Sequence, residues 1–212
     1  MKQMWETRAI ALETLESKYS YEHNLINQSF DLIDKILISI SEKSDFNITI
    51  SMILGKAKIL SKSIFSLVLD GYGQEAGALL RILMEAIELL IYIKNDLRRV
   101  QEVINNNLPS IGKIAKINNS NLHEIRKHLS NLSSHLNISI DSLKHLIRLN
   151  DNKIEMKLLD NFDESAFIDN IEALLAAKTV MISISIECLR LAQLPYSHFQ
   201  QELYNIEHGK DY

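Results

Sequence analysis

Proline, glycine and cysteine are scarce in this sequence, and each scarcity narrows what the chain can be. The 212 residues include two prolines and six glycines, so few positions interrupt a helix. The single cysteine, Cys188, excludes an internal disulfide, which fits a reducing cytoplasm. No apolar signal segment is found in the first residues, MKQMWETRAIALETLESK, and a cytoplasmic location is therefore expected.

The sequence also lacks an excess of basic charge. Its 23 basic and 27 acidic residues give a formal net charge of -4, so overall electrostatics offer no general attraction for nucleic acid or an anionic membrane. The run from Gly73 to Ile93 is long enough to span a bilayer, but it contains Arg81, Glu85 and Glu88. Each central charge costs about 2.5–3.5 kcal/mol on insertion. We therefore predict a buried helix of a soluble protein and no membrane partner.

Sequence motifs for catalysis and metal binding are absent. The chain has neither a Glu-x-x-His pair of the di-iron type nor a His-Glu-x-x-His motif, and it has no Gly-x-x-x-x-Gly-Lys phosphate loop or Gly-x-Ser-x-Gly elbow. These absences favour a non-enzymatic protein with no metal and no cofactor. They leave catalytic residues unassigned.

Apolar residues recur at steps of three and four along most of the chain, which predicts long helices. We expect one all-α domain over 1–212, an up-and-down bundle of four to five long helices with two or three short ones. The first segment is one long helix or two nearly collinear helices broken near Tyr21, and Asn47 or Thr49 is the expected N-cap of the second. The main helices are predicted at 3–43, 47–70, 74–104, 121–136, 139–149 and 166–191, a short helix at 110–117, an irregular Asn-rich connection over 110–162, and a short C-terminal helix after Pro195.

A line of polar residues runs along the third predicted helix. Arg81, Glu85, Glu88 and Tyr92 are three or four residues apart, so they share one face. One interpretation is a structural network, in which the Arg81 guanidinium pairs with both carboxylates of its own helix, or simply a solvated face. The alternative is a cleft in which Arg81 and the two glutamates hold a ligand or partner.

Two histidines border the apolar stripe of the predicted helix at 121–136. His128 and His135 lie one residue before Leu129 and Leu136. Such a polar line is typical of the solvated edge of a packed helix. The alternative is that His128 and His135 face the line of Arg81, Glu85 and Glu88 and complete a site.

The pattern of Gly71, Glu75-Ala76, Leu79, Arg81 and Glu85 resembles a family of bacterial helical proteins that is defined by a domain of unknown function. In that family a later Leu-Ser…His element follows, and here Leu129-Ser130 with His135 is similar to it. The resemblance implies a bundle like the HEPN (higher eukaryote and prokaryote nucleotide-binding) domains, many of which are ribonucleases or toxin partners. Ribonuclease members carry Arg and His separated by four to six residues, and no such spacing links Arg126 to His128 or His135 here.

Three functions follow as hypotheses. The first is a non-enzymatic interaction or regulatory module, forming a homodimer and binding a protein partner, because the predicted helices are long relative to one compact bundle. The second is an HEPN-like protein that binds RNA or a nucleotide, as a ribonuclease or an antiphage component, using Arg81, Glu85 and His135. The third is a small-ligand pocket in which Arg81 recognises a carboxylate or phosphate.

Overall fold

The computed structural model describes residues 4–122, 124–125, 147–150, 153–156 and 162–209, and most of them are helical. The helices are α1 (Met4–Lys18), α2 (Ser20–Ser39), α3 (Asp45–Leu69), α4 (Gly73–Asn95), α5 (Val100–Ile104), α6 (Ile111–Asn118), α7 (Glu164–Leu191) and α8 (Ser197–Glu207). A 3-10 turn, Leu97–Arg99, precedes α5, and a hairpin pairs β1 (Ile147–Asn150) with β2 (Lys153–Met156). The predicted all-α helical bundle is confirmed.

The core lies where α7 packs against α2, α3 and α4, while α8 covers α2 and α7. Apolar side chains from these helices form it, and Ile36, Leu54, Leu83, Ile87 and Ile182 are among those that are fully buried. Helix α7 is therefore the central helix of the described bundle. Among the described residues, no helix is long and apolar enough to cross a membrane.

The first helical segment is divided at Tyr19 and ends at Ser39. The prediction of one continuous helix over 3–43 is therefore wrong, and the alternative of two helices with a break near Tyr21 is correct to within two residues. No proline or glycine marks this break. Tyr19 has φ -122° and ψ 42°, and its hydroxyl donates a hydrogen bond of 3.1 Å to Glu164 at the start of α7. Lys18 reaches the same carboxylate at 2.8 Å. Contacts between distant segments thus accompany a break that local helix propensity does not explain.

An arginine fork connects α1 to the end of α3. The Nε and Nη2 atoms of Arg8 donate to the two carboxylate oxygens of Asp70 at 2.6 and 2.5 Å, and Nη2 also reaches the Ser66 hydroxyl at 2.7 Å. Bidentate, charge-assisted contacts of this kind fix orientation as well as distance. They hold α1 beside the C-terminal end of α3.

The limits of α3 and α4 differ from the predicted ones because of side-chain caps. Ser44, rather than Asn47 or Thr49, caps α3 by accepting from the Asn47 N–H at 3.1 Å. The predicted helix at 74–104 ends instead at Asn95. Asp96 is extended there, and its carboxylate accepts from the Arg98 N–H at 3.1 Å, which starts a new helical turn.

The later helices are close to their predicted positions. The short helix expected at 110–117 is α6, and Asn119, with φ 51°, ends it in the left-handed conformation that asparagine tolerates. The helix expected at 166–191 starts two residues earlier, because Asp163 caps it by accepting from the Ala166 N–H at 3.1 Å. A short C-terminal helix after Pro195 is also confirmed.

The Asn-rich connection contains a hairpin that the sequence analysis did not predict. The helix predicted at 139–149 is wrong at its end, because residues 147–149 belong to β1. Asn150 pairs with Lys153, and the two residues between them in the sequence are Asp and Asn. Such residues favour tight turns, and Ile147 and Ile154 favour strands. Of the helix predicted at 121–136, Leu122, Glu124 and Ile125 are described and helical, and the remainder lies outside the described residues.

Candidate functional site

Helix α4 carries the polar line from the bundle surface into its core. Arg81 and Glu85 are half-buried, whereas Glu88, less than one turn further on, is fully buried. Residues three or four apart on a helix lie on the same face, and the short helix α6 packs beside α4. The line therefore ends in an interface between two helices.

Arg81 pairs with only one of its two predicted partners. Its Nη1 atom lies 3.9 Å from Glu85 Oε1, which is an ion pair but too long for a hydrogen bond. No ion pair joins Arg81 to Glu88 in the described part of the chain. The prediction that the guanidinium satisfies both carboxylates is therefore correct for Glu85 and wrong for Glu88.

The partner of Glu88 is Asn118, the last residue of α6. The Asn118 amide donates through Nδ2 to Glu88 Oε2 at 2.8 Å and to the Glu88 backbone carbonyl at 2.9 Å. The left-handed Asn119 ends α6 at that point. The sequence predicts that Asn118 belongs to the irregular Asn-rich connection. Its position immediately before the helix-ending Asn119 was the available signal that it lies at the end of a helix.

Three polar atoms of this cluster are buried without a hydrogen-bond partner. They are Arg81 Nε, Glu88 Oε1 and Asn118 Oδ1, and they are the only such side-chain atoms in the described ranges. An unsatisfied buried donor or acceptor costs about 1–3 kcal/mol, so such atoms are rare. Their concentration on the polar line of α4 and on Asn118 distinguishes this site from the rest of the described bundle.

Tyr92 belongs to a second cluster at the end of α4. Its hydroxyl donates to Glu102 Oε2 at 2.8 Å, and the Arg99 guanidinium carbon lies 4.1 Å from the centre of its ring. Burial raises the pKa of the Tyr92 phenol, and the hydrogen bond to Glu102 raises it further. The structure thus separates Tyr92 from the cluster of Arg81, Glu85 and Glu88. His128 and His135, the other candidate residues, lie outside the described residues.

A buried lysine that the sequence analysis did not single out lies in the core. Lys178 of α7 is fully buried, and its amine donates to the Ile26 carbonyl at 3.1 Å and lies 3.1 Å from the centre of the Phe30 ring. These two contacts match the two N–H donors of a neutral amine. Burial lowers the pKa of Lys178 from 10.5 to about 6, and the nearby Lys62 ammonium lowers it further while Asp31 opposes the change. The available signal was one lysine within the apolar LLAAKTVMI.

The described residues offer neither a metal centre nor a reactive thiol. No three His, Cys, Asp or Glu side chains among them form a group that holds a metal ion. Cys188 is fully buried, and burial raises the pKa of its thiol to about 12, so at neutral pH it is a core residue rather than a nucleophile.

Comparison of the chain with protein-family models, with curated proteins and with solved structures gives no match in any of the three.

Replacement of Glu88 by glutamine is expected to stabilise the free protein. Glutamine removes a buried carboxylate that has no counter-charge, while its carbonyl still accepts from Asn118 Nδ2. We expect a gain of about 1–3 kcal/mol in the free energy of unfolding, measured by urea denaturation. The control is Glu85→Gln, which makes the same change at a half-buried position and is expected to shift stability by less than about 0.5 kcal/mol. A loss of stability in Glu88→Gln would contradict this account of the cluster.

Replacement of Lys178 by methionine is expected to change how stability depends on pH. The pKa of this amine is 10.5 when exposed and about 6 in the fold, so between those values the unfolded chain binds one proton more. The free energy of unfolding of the wild type therefore rises with pH in this window by about 1.4 kcal/mol per pH unit more than that of the variant. Above this window, neither the folded nor the unfolded chain holds a proton on Lys178. Below it both chains hold the proton, and the wild type then bears the full free-energy cost of burying a charged amine.

The measurement is urea denaturation of the wild type and Lys178→Met at pH 7, 8 and 9. Because other groups titrate equally in both proteins, the difference between the two curves isolates Lys178. Methionine has a similar length and no polar atom, so the variant is expected to be the more stable protein at pH 7. Parallel curves would show that Lys178 is not buried as a neutral amine.

Proposed function

We propose that this protein is a non-enzymatic interaction module that forms a homodimer through the outward face of α3. The observation that supports the proposal is a row of exposed apolar side chains. Ile48, Met52 and Ile59 are exposed by 48%, 69% and 61%, on the side of α3 that faces away from the core. A helix face in contact with water is usually charged, and an apolar face of this kind is typical of an interface.

The row has the spacing of a coiled-coil seam. Ile48, Met52, Gly55 and Ile59 follow one another at steps of four, three and four residues, as positions d, a, d and a of a heptad repeat do. A side-chain carbon placed on Gly55 would meet no atom within 4 Å, so the surface is open there. We call the set from Asp45 to Lys62 on this face the α3 seam.

A second copy of the chain is the occupant that the α3 seam fits. In an antiparallel pair, an a position lies opposite a d position of the other helix. This register places Ile48 opposite Ile59 of the partner subunit and Met52 opposite Gly55 of the partner subunit, so a large side chain meets an open position. The two-fold symmetry repeats each contact, as a closed dimer requires.

The ends of the α3 seam are complementary in charge under the same register. Asp45 and Lys62 are the next a and d positions outward, and both are exposed. Antiparallel pairing therefore brings Asp45 opposite Lys62 of the partner subunit at each end. Asp45 also accepts a hydrogen bond of 2.9 Å from Gln101, which holds its carboxylate near the surface of the bundle. Charges at these positions favour the antiparallel register over others.

One helix pair makes a small interface compared with the 1,200–2,000 Å² or so of standard complexes. Burial of an apolar side chain contributes about 1.5–3 kcal/mol, and association itself costs at least about 4 kcal/mol. We therefore expect a reversible dimer with a dissociation constant in the micromolar range.

The first test is the oligomeric state of Met52→Glu by analytical ultracentrifugation over 1–200 µM, a range centred on the expected affinity. A carboxylate at the centre of the α3 seam loses the apolar contact twice, so we expect the dissociation constant to rise by at least about 100-fold. The control is Ile38→Glu, which makes a similar change at a side chain of α2 that is 80% exposed but outside the seam. A monomeric wild type, or equal loss of dimer in both variants, would contradict the proposal.

The second test exchanges the charges at the ends of the α3 seam. Asp45→Lys and Lys62→Asp each place like charges opposite each other, and each is expected to weaken the dimer by about tenfold. The two changes combined in one chain restore opposite charges and are expected to recover most of the affinity. Because an acidic residue in the first turn also stabilises α3, monomer stability is measured alongside the dissociation constant. If the dimer of the double variant were weakened by the sum of the effects of the two single changes, the antiparallel register would be wrong.

An HEPN-like role in RNA or nucleotide binding stays a prediction, as do the family resemblance, the bacterial origin and the cytoplasmic location. The RNA or nucleotide role relies on Arg81, Glu85 and His135 together. The described residues place Arg81 beside Glu85 and do not include His135.

A further inference from the structure

We propose that Glu88 and Asn118 form a binding site for a small organic cation with N–H donors, such as a primary ammonium or a guanidinium group. The site lies between α4 and α6, away from the α3 seam, so it is independent of the dimer. Its basis is the type of the unpartnered atoms, the charge of the cluster and the exposure of its residues.

Glu88 and Asn118 each have one buried side-chain atom without a hydrogen-bond partner, and both atoms are acceptors. Glu88 Oε1 is a carboxylate oxygen and Asn118 Oδ1 is an amide oxygen. The orientation of the Asn118 amide is well defined, because its Nδ2 atom donates to two oxygens of Glu88 and a flipped amide would place an oxygen against both. Two unpartnered acceptors on side chains that are hydrogen-bonded to each other require donors from the ligand, and an amine or guanidinium group carries at least two N–H bonds.

The net negative charge of the cluster also favours a cation as the ligand. Arg81 supplies one positive charge, and Glu85 and Glu88 supply two negative charges, with Arg81 nearer to Glu85. Glu88 is fully buried and has no ion-pair partner in the described part of the chain. A buried carboxylate without a counter-charge is unfavourable, and one bound monocation neutralises the cluster. This polarity is opposite to the carboxylate or phosphate that the sequence suggests for Arg81.

The proposed ligand reaches Glu88 past half-buried residues of the cluster. Arg81, Glu85 and Asn118 are all half-buried, so the cluster reaches the surface although Glu88 does not. Glu85 lies three residues before Glu88, just under one helical turn, and adds a second carboxylate nearer to the surface. The cation therefore meets acidic oxygens from the surface inward and ends at the paired acceptors of Glu88 and Asn118.

The experiment compares two small cations that differ in donors but share a charge. Methylguanidinium chloride is titrated into the 212-residue protein at about 0.1–20 mM, a range chosen for weak binding. Thermal unfolding and isothermal titration calorimetry are recorded for each addition. Tetramethylammonium chloride is the matched control, because it carries the same charge and no N–H group. Both are added to the wild type, to Glu85→Gln and to Glu88→Gln.

We expect methylguanidinium to raise the unfolding midpoint of the wild type by about 2–4 °C at several times its dissociation constant. Tetramethylammonium is expected to have no effect. Glu88→Gln is expected to lose the response, because it removes the buried carboxylate and replaces one of its acceptor oxygens by an N–H donor, whereas Glu85→Gln keeps the response with weaker binding. An equal response in the wild type and Glu88→Gln, an equal response to both cations, or no response would each overturn the proposal.

Discussion

The rest of the structure depends on the packing of α7 against α2, α3 and α4. A buried helix surrounded by three others fixes which stripe of each neighbour faces inward, and the buried residues of those stripes form one continuous core. Because that packing sets the rotation of α3 and α4, it also decides what they present elsewhere. The α3 seam faces outward and the polar line of α4 faces α6 for this reason.

Two buried ionisable groups give this bundle its unusual features, and they are satisfied to different extents. Lys178 has a carbonyl and an aromatic ring as partners for its amine, so it is accommodated within the core as a neutral group. Glu88 has one amide partner and one free oxygen. A polar group with all its hydrogen bonds made is consistent with a structural role. A buried polar group that lacks one hydrogen-bond partner, such as Glu88 at the end of a half-exposed line of charges, is consistent with a binding role.

The proposed dimer and the proposed cation site use opposite properties of neighbouring helices. The α3 seam has too little polarity for a surface exposed to water, whereas the interface of α4 with α6 has too much polarity for a buried surface. Each is a departure from the rule that apolar side chains lie inside and polar ones outside. Single exposed apolar side chains also occur elsewhere, as at Ile38 of α2, but the α3 seam has three of them in one row on one helix, and the interface of α4 with α6 holds two of the unpartnered buried polar atoms of the described residues.

The sequence by itself determined the helices and the shared face of Arg81, Glu85 and Glu88, because both depend on spacing along one chain. It left open whether the first helical segment breaks near Tyr21, and the structure has the break at Tyr19, whose hydroxyl bonds to Glu164 of a distant helix. It did not determine the end of α4 at Asn95, where the Asp96 side chain starts a new turn. Only the tertiary structure decided that Asn118 bonds to Glu88, that Tyr92 bonds to Glu102, and that Lys178 is buried. These outcomes depend on contacts between different helices, some of them distant in the sequence. Hydrophobic periodicity predicts which face of a helix is buried, but it does not predict which polar side chains of two helices meet.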